Sequence, residues 1–163
     1  MSHRTRLAAA FAATLFAFPA LADGIMVMDP YARAASPSAK AGAAFMMPHN
    51  QSDEADTLVA ARTDAAARVE LHTHIDKGDG VLQMTEIEGG ITIPAGEIYE
   101  MKRGGDHVML MGLTGPLEQD ATIDVTLVFE KAGEVVVTVP VDNARKPGAD
   151  AHGGHGDHSG HDH

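Results

Sequence analysis

Two stretches of this chain place metal-binding side chains at the spacing of a β-strand. The first is His107-Val108-Met109-Leu110-Met111, just after Arg103-Gly104-Gly105-Asp106. An extended backbone sends successive side chains to opposite faces. Val108 and Leu110 then form a core face, and His107, Met109 and Met111 share the other. A half-buried strand ordinarily carries Thr, Lys or Glu on its second face. Thioethers beside an imidazole suit a soft or borderline metal instead, Cu(I) above all. The plain alternative is a strand buried on both faces, with methionine as filler.

The second stretch is Val69 to Ile75. Val69, Leu71, Thr73 and Ile75 alternate with Glu70, His72 and His74, and Met84 lies on the arm that returns. Thioethers are not protonated near neutral pH and form no disulfides, so they suit Cu(I) capture where free thiols are lost to oxidation. A further signal is the C-terminal run holding His152, His155, His158, His161 and His163 among Gly, Asp and Ser. Neutral imidazoles bind Cu(II), Zn(II) and Ni(II). Residues 146–163 contain almost no apolar side chain, so they are expected to be disordered without a ligand.

The elements that must position these groups read as short strands. They fall near 24–28 (continuing toward 35), 42–47, 57–61, 68–75, 81–87, 91–94, 97–102, 107–113, 121–130 and 135–141. Turn chemistry separates many of them, at Asp76-Lys77-Gly78-Asp79-Gly80, Glu88-Gly89-Gly90 and Lys131-Ala132-Gly133. No amphipathic helix of ordinary length stands out, and the pattern predicts an all-β sandwich or barrel. Met46, Met47 and Met101 read as core; Met26 and Met28 have no evident place.

The first 22 residues read as a leader. Arg4 and Arg6 precede an apolar run from Leu7 to Phe18, and Ala20-Leu21-Ala22 fits a cleavage site. The expected organisation is a signal peptide over 1–22, a β-domain over 23–145 and a His-rich tail over 146–163. No second long apolar run follows, so no membrane span is expected after cleavage. The chain has 163 residues, a formal net charge of −11 and no cysteine. Its acidity argues against nucleic acid and anionic membrane as partners. The lack of cysteine removes disulfides, a lipid-bearing thiol, thiolate metal sites and thus blue-copper electron transfer.

Several of these segments together resemble the PCuAC-type periplasmic copper chaperones. They are Val69-Glu70-Leu71-His72-Thr73-His74, Met84, Ile93-Pro94-Ala95-Gly96, and Gly104-Gly105-Asp106-His107-Val108-Met109-Leu110-Met111-Gly112-Leu113, with Gly42-Ala43-Ala44-Phe45-Met46 and His49-Asn50-Gln51-Ser52. The family pattern is a His, ten residues, a Met, twenty-one residues, and His-x-Met. Here eleven residues separate His72 from Met84, and twenty-two separate Met84 from His107. Each interval is one longer than the pattern, and the turns at 76–80 and 88–90 can absorb the difference. His72 fits the first position better than His74, and Met111 lies beside the pattern.

The resemblance implies a cupredoxin-like Greek-key fold and a Cu(I) site of His72, Met84, His107 and Met109. His74, Met111 and the tail histidines would be additional donors, the tail taking Cu(II). It also implies a periplasmic monomer that is not an enzyme. Its acceptor would be a copper protein such as cytochrome c oxidase subunit II, at the CuA centre, or a Sco-type protein. The competing expectation is a zinc, nickel or copper buffer acting through the tail. A copper oxidase has little support, because cleavage after Ala22 leaves Asp23, not a histidine, at the N-terminus, and no nucleophile–base set is evident.

Overall fold

The computed structural model describes residues 24–148. Nine strands form two antiparallel sheets: β1 (Ile25–Ala34), β2 (Ala41–Asn50), β3 (Asp56–Arg62), β4 (Ala66–Asp76), β5 (Leu82–Glu86), β6 (Ile91–Ile93), β7 (His107–Leu113), β8 (Thr122–Phe129) and β9 (Gly133–Pro140). One sheet has the order β1-β2-β7-β4-β5 and the other β6-β3-β8-β9. The chain crosses between them at β2–β3, β3–β4, β5–β6, β6–β7 and β7–β8. The leader and the histidine tail lie outside the described residues.

Period-two patterning explains the layers. Val108 and Leu110 of β7 point inward with Leu71 of β4 and Ala44 and Met46 of β2, against Leu58, Val125, Leu127, Phe129, Val137 and Val139 of the other sheet. All are buried. Two buried polar residues are fully engaged. Asn50 donates from Nδ2 to the carbonyls of Glu54 and Ile93, at 2.7 and 3.0 Å, and its Oδ1 accepts from Ser52 N–H and Oγ. The Asp56 carboxylate accepts from the N–H groups of Thr57, Lys131 and Ala132 at 2.7, 2.9 and 2.8 Å, and so ties the β8–β9 turn to β3. At Gly42 a Cβ would lie 2.9 Å from both the Arg33 carbonyl oxygen and Leu117 Cδ1, so only glycine allows this approach.

The first strand continues past Asp29 and Pro30 as expected, because a bulge lets these two residues together oppose Met46. Two local expectations change. Residues 97–102 do not form a strand. Ile98 makes one bridge to His49, and hydrogen bonds from Asn50 N–H to Glu97, Tyr99 N–H to Pro48 and Met101 N–H to Met46 hold this segment along β2. Met47 is not core: it lies half-buried on the outer face, whereas Met46 and Met101 are buried.

Candidate metal centre

β4 lies between β7 and β5, so its outward side chains meet donors from both neighbours. In the ladder His72 stands opposite His107 and Glu70 opposite Met109. On the other side His74 stands opposite Met84 and His72 opposite Glu86. Directly paired positions have Cβ atoms about 4.5–5.5 Å apart. The register therefore gathers three imidazoles and two thioethers on one sheet face. The His107 ring centroid lies 6.0 Å from that of His72 and 5.3 Å from that of His74. Phe45 of β2 lies 5.9 Å away on the other side.

These groups border a cleft of about 320 Å³, with His74, Met84, His107 and Met109 in its wall beside Arg33 and Arg103. Depth varies across it. His107 is 2% exposed, whereas Met84 at the rim is 42% exposed. His107 is thus a covered floor, with Phe45 on one side and the Gly105 carbonyl on the other, while Met109 beside it is half-buried. His72 lies beside the cleft rather than in its wall. Met111 turns away, with the Arg68 guanidinium donating to its sulfur at 3.3 Å. The structure therefore does not bring Met111 to the other donors.

Hydrogen bonds decide which ring nitrogens are free to bind. A carbonyl oxygen only accepts, so Nδ1 of His107, 2.9 Å from the Gly105 carbonyl, carries the hydrogen and Nε2 keeps its lone pair. His74 Nδ1 approaches the same carbonyl at 3.3 Å, with the same consequence. His72 is reversed. Its Nε2 lies 2.7 Å from Glu70 Oε2, and its Nδ1 is buried with no partner. A neutral His72 donating to Glu70 holds a bare lone pair on Nδ1, and a buried lone pair without a partner is costly. Glu70 itself is braced by Arg68 Nε at 3.1 Å. A carboxylate behind a histidine is a common way of orienting a metal ligand.

Burial pushes the His107 pKa below that of a free histidine. The Gly105 carbonyl opposes this, the neighbouring His74 and His72 reinforce it, and Asp106 opposes it. The imidazole is accordingly neutral at neutral pH, the form a metal needs. Nearby, Tyr99 donates to Asp106, and burial together with that carboxylate raises the phenol pKa to about 12. No cluster of three or more His, Asp or Glu side chains suited to an ion occurs among the described residues. Sequence reading left Glu70 without a role; its alternation with His72 and His74 was the available signal.

A family model described as "Putative lipoprotein LpqE-like" matches residues 25–141. A curated protein of Leifsonia xyli subsp. xyli, "Putative lipoprotein Lxx21020", is 38% identical over 120 residues, 74% of this chain and 70% of that one. The copper-bound PCuAC domain of PmoF2 is similar in structure, with a TM-score of 0.61 and 26% identity, covering 74% of this chain and 93% of that one. The Cu(I) form of DR1885 from Deinococcus radiodurans has a TM-score of 0.57 and 34% identity, covering 76% of this chain and 83% of that one. With its residues 25–141 spanned by the family model and its β-sandwich shared with these cupredoxin-like domains, this chain belongs to the LpqE-like family, which is the PCuAC type.

Proposed function

We propose that this protein is an exported copper chaperone that binds one Cu(I) through His72, Met84, His107 and Met109 and passes it to an acceptor protein. One observation carries the reading: β4, β5 and β7 bring imidazoles and thioethers together on one face, and each imidazole there keeps a ring nitrogen free to bind. Two neutral imidazoles and two thioethers match Cu(I) in softness and leave its single charge uncompensated, which favours exchange over permanent storage. His72 is the preferred first histidine, because copper on its Nδ1 would satisfy the buried lone pair. His74 stands beside Met84 as a third imidazole that could replace it during transfer. The exposed Met84 is the ligand that an acceptor would displace first.

The copper-binding relatives support this role, and a family of lipoproteins supports export. With no cysteine to acylate, the chain would be released into the periplasm as a monomer after cleavage at Ala22. The acceptor would be cytochrome c oxidase subunit II, at its CuA centre, or a Sco-type protein. The histidine tail would take Cu(II), and its tether would raise the copper concentration near the folded site. The role is binding and transfer, not catalysis.

The test is an anaerobic Cu(I) titration of the full chain against a chromogenic chelator, alongside Met109→Leu. One tight equivalent, weakened at least about tenfold in the variant, is expected. Unchanged binding in the variant would remove the His–Met site and leave a buffer acting through its tail.

A further inference from the structure

Four donors outside this cleft are unaccounted for. On the β1–β2 ribbon Met26 pairs with His49, and Met28 pairs with Met47. Both pairs face outward. Met26 is 42% exposed, and Met28, Met47 and His49 are half-buried, while the inward-facing Met46 between the two β2 members is 1% exposed. Met46 shows what a packing methionine looks like in this sheet, and the outward three do not resemble it. We infer that Met26, Met28, Met47 and His49 form a second Cu(I) site on the outer face of the five-stranded sheet.

The register makes the geometry. Cross-strand Cβ atoms lie about 5 Å apart, and second neighbours along a strand about 6.6 Å apart. A metal above the centre of that rectangle is roughly 4 Å sideways from each Cβ, within reach of three flexible thioethers and one imidazole. Three neutral sulfurs and one nitrogen favour Cu(I) over Zn(II). The segment beside β2 leaves the site open. Ile98, bridged to His49, is 51% exposed, and Glu100 is ion-paired with Lys102 at 2.9 Å.

The site is distinct from the cleft. Phe45 lies two residues before Met47 on the same face of β2, stacks on Tyr31 at 5.0 Å and reaches toward His107. An aromatic pair therefore separates the two donor sets on one sheet. The inference does not depend on the cleft ligands, because each set reports through its own methyl groups.

The experiment uses the full chain with ¹³C-labelled methionine methyls, assigned by single Met→Leu changes and titrated anaerobically with Cu(I). The methyl signals of Met26, Met28 and Met47 are expected to shift together, at a copper equivalent separate from any that moves Met84 and Met109. In Met26→Leu/Met47→Leu, which nearly conserves side-chain volume, the Met28 response should need at least about tenfold more copper. Two results would overturn the site: all three methyls stationary through several equivalents of copper, or an unchanged Met28 response in the double variant.

Discussion

On the outer face of the four-stranded sheet Thr57 and Thr92 hydrogen-bond at 3.2 Å, Thr138 donates to Asp124 at 2.8 Å, and Arg62 pairs with Glu134 at 2.5 Å. These contacts are solvent-exposed and typical of a wetted sheet. At comparable positions the five-stranded sheet carries His72, His74, Met84, His107 and Met109, with one histidine sunk to 2% exposure. Inward, both sheets use the same aliphatic alternation. One outer face only needs to tolerate water. The other carries soft donors, turns its Arg68–Glu70 ion pair toward His72 and keeps an unpartnered imidazole nitrogen that does nothing for an empty fold.

Changes to the shared interior should be the largest and should not distinguish the sheets. Leu110→Ala, at a fully buried position of β7, is expected to lower the unfolding free energy by about 2–5 kcal/mol in chemical denaturation. Asp56→Ala strands three backbone donors at the β3–β9 end and should cost about 1–3 kcal/mol, with Cu(I) affinity unchanged. Equal losses of stability and copper affinity in this variant would mean that the two ends are not independent. His72→Ala against His74→Ala sharpens the comparison within the cleft. The first should weaken Cu(I) by at least about tenfold, on the order of 1.4 kcal/mol, and the second by less. The reverse order in a competition titration would make His74 the ligand.

Much of this was legible in the sequence because period-two alternation is written into single strands. His107-Val108-Met109-Leu110 reveals a core face and a donor face without any partner strand. What could not be read was register. Nothing in the spacing says that His72 faces His107 while His74 faces Met84, since that depends on a ladder closed by residues far apart in the chain. The burial of His107 was hidden for the same reason, as Phe45 covers it from another strand. Residues 97–102 misled because a short run with Ile98, Tyr99 and Met101 after the Ala95-Gly96 turn reads as a strand, whereas it makes only intermittent hydrogen bonds to β2. Met47 misled because a methionine beside a core methionine looks like core until the pleat assigns it a side.

Acidification probes the donor face through its buried histidine. The unfolded chain protonates His107 near a pH of about 6.5. Burial holds the folded pKa lower, so below about 6.5 the unfolded state binds the extra proton first. Stability from this residue is complete above that pH and is lost as pH falls toward the folded value. Denaturation midpoints of the copper-free protein should therefore fall from about pH 7.5 to 5.5, and less so in His107→Gln. Protons also compete with copper for the ring nitrogen, so Cu(I) affinity should decline only once pH falls below the lowered folded value. An affinity that stays constant there would count against histidine ligation.

The smallest expected effect lies on the other sheet. Arg62 and Glu134 are both more than half exposed, and water screens such a pair to within about 1 kcal/mol. Arg62→Ala should leave the unfolding free energy nearly unchanged and Cu(I) affinity unaltered. A measurable loss of copper binding would show that the four-stranded sheet's outer face is coupled through the core to the donor face. The core offers no evident route for such coupling, because the aliphatic side chains between the sheets carry neither charge nor hydrogen bonds from one face to the other.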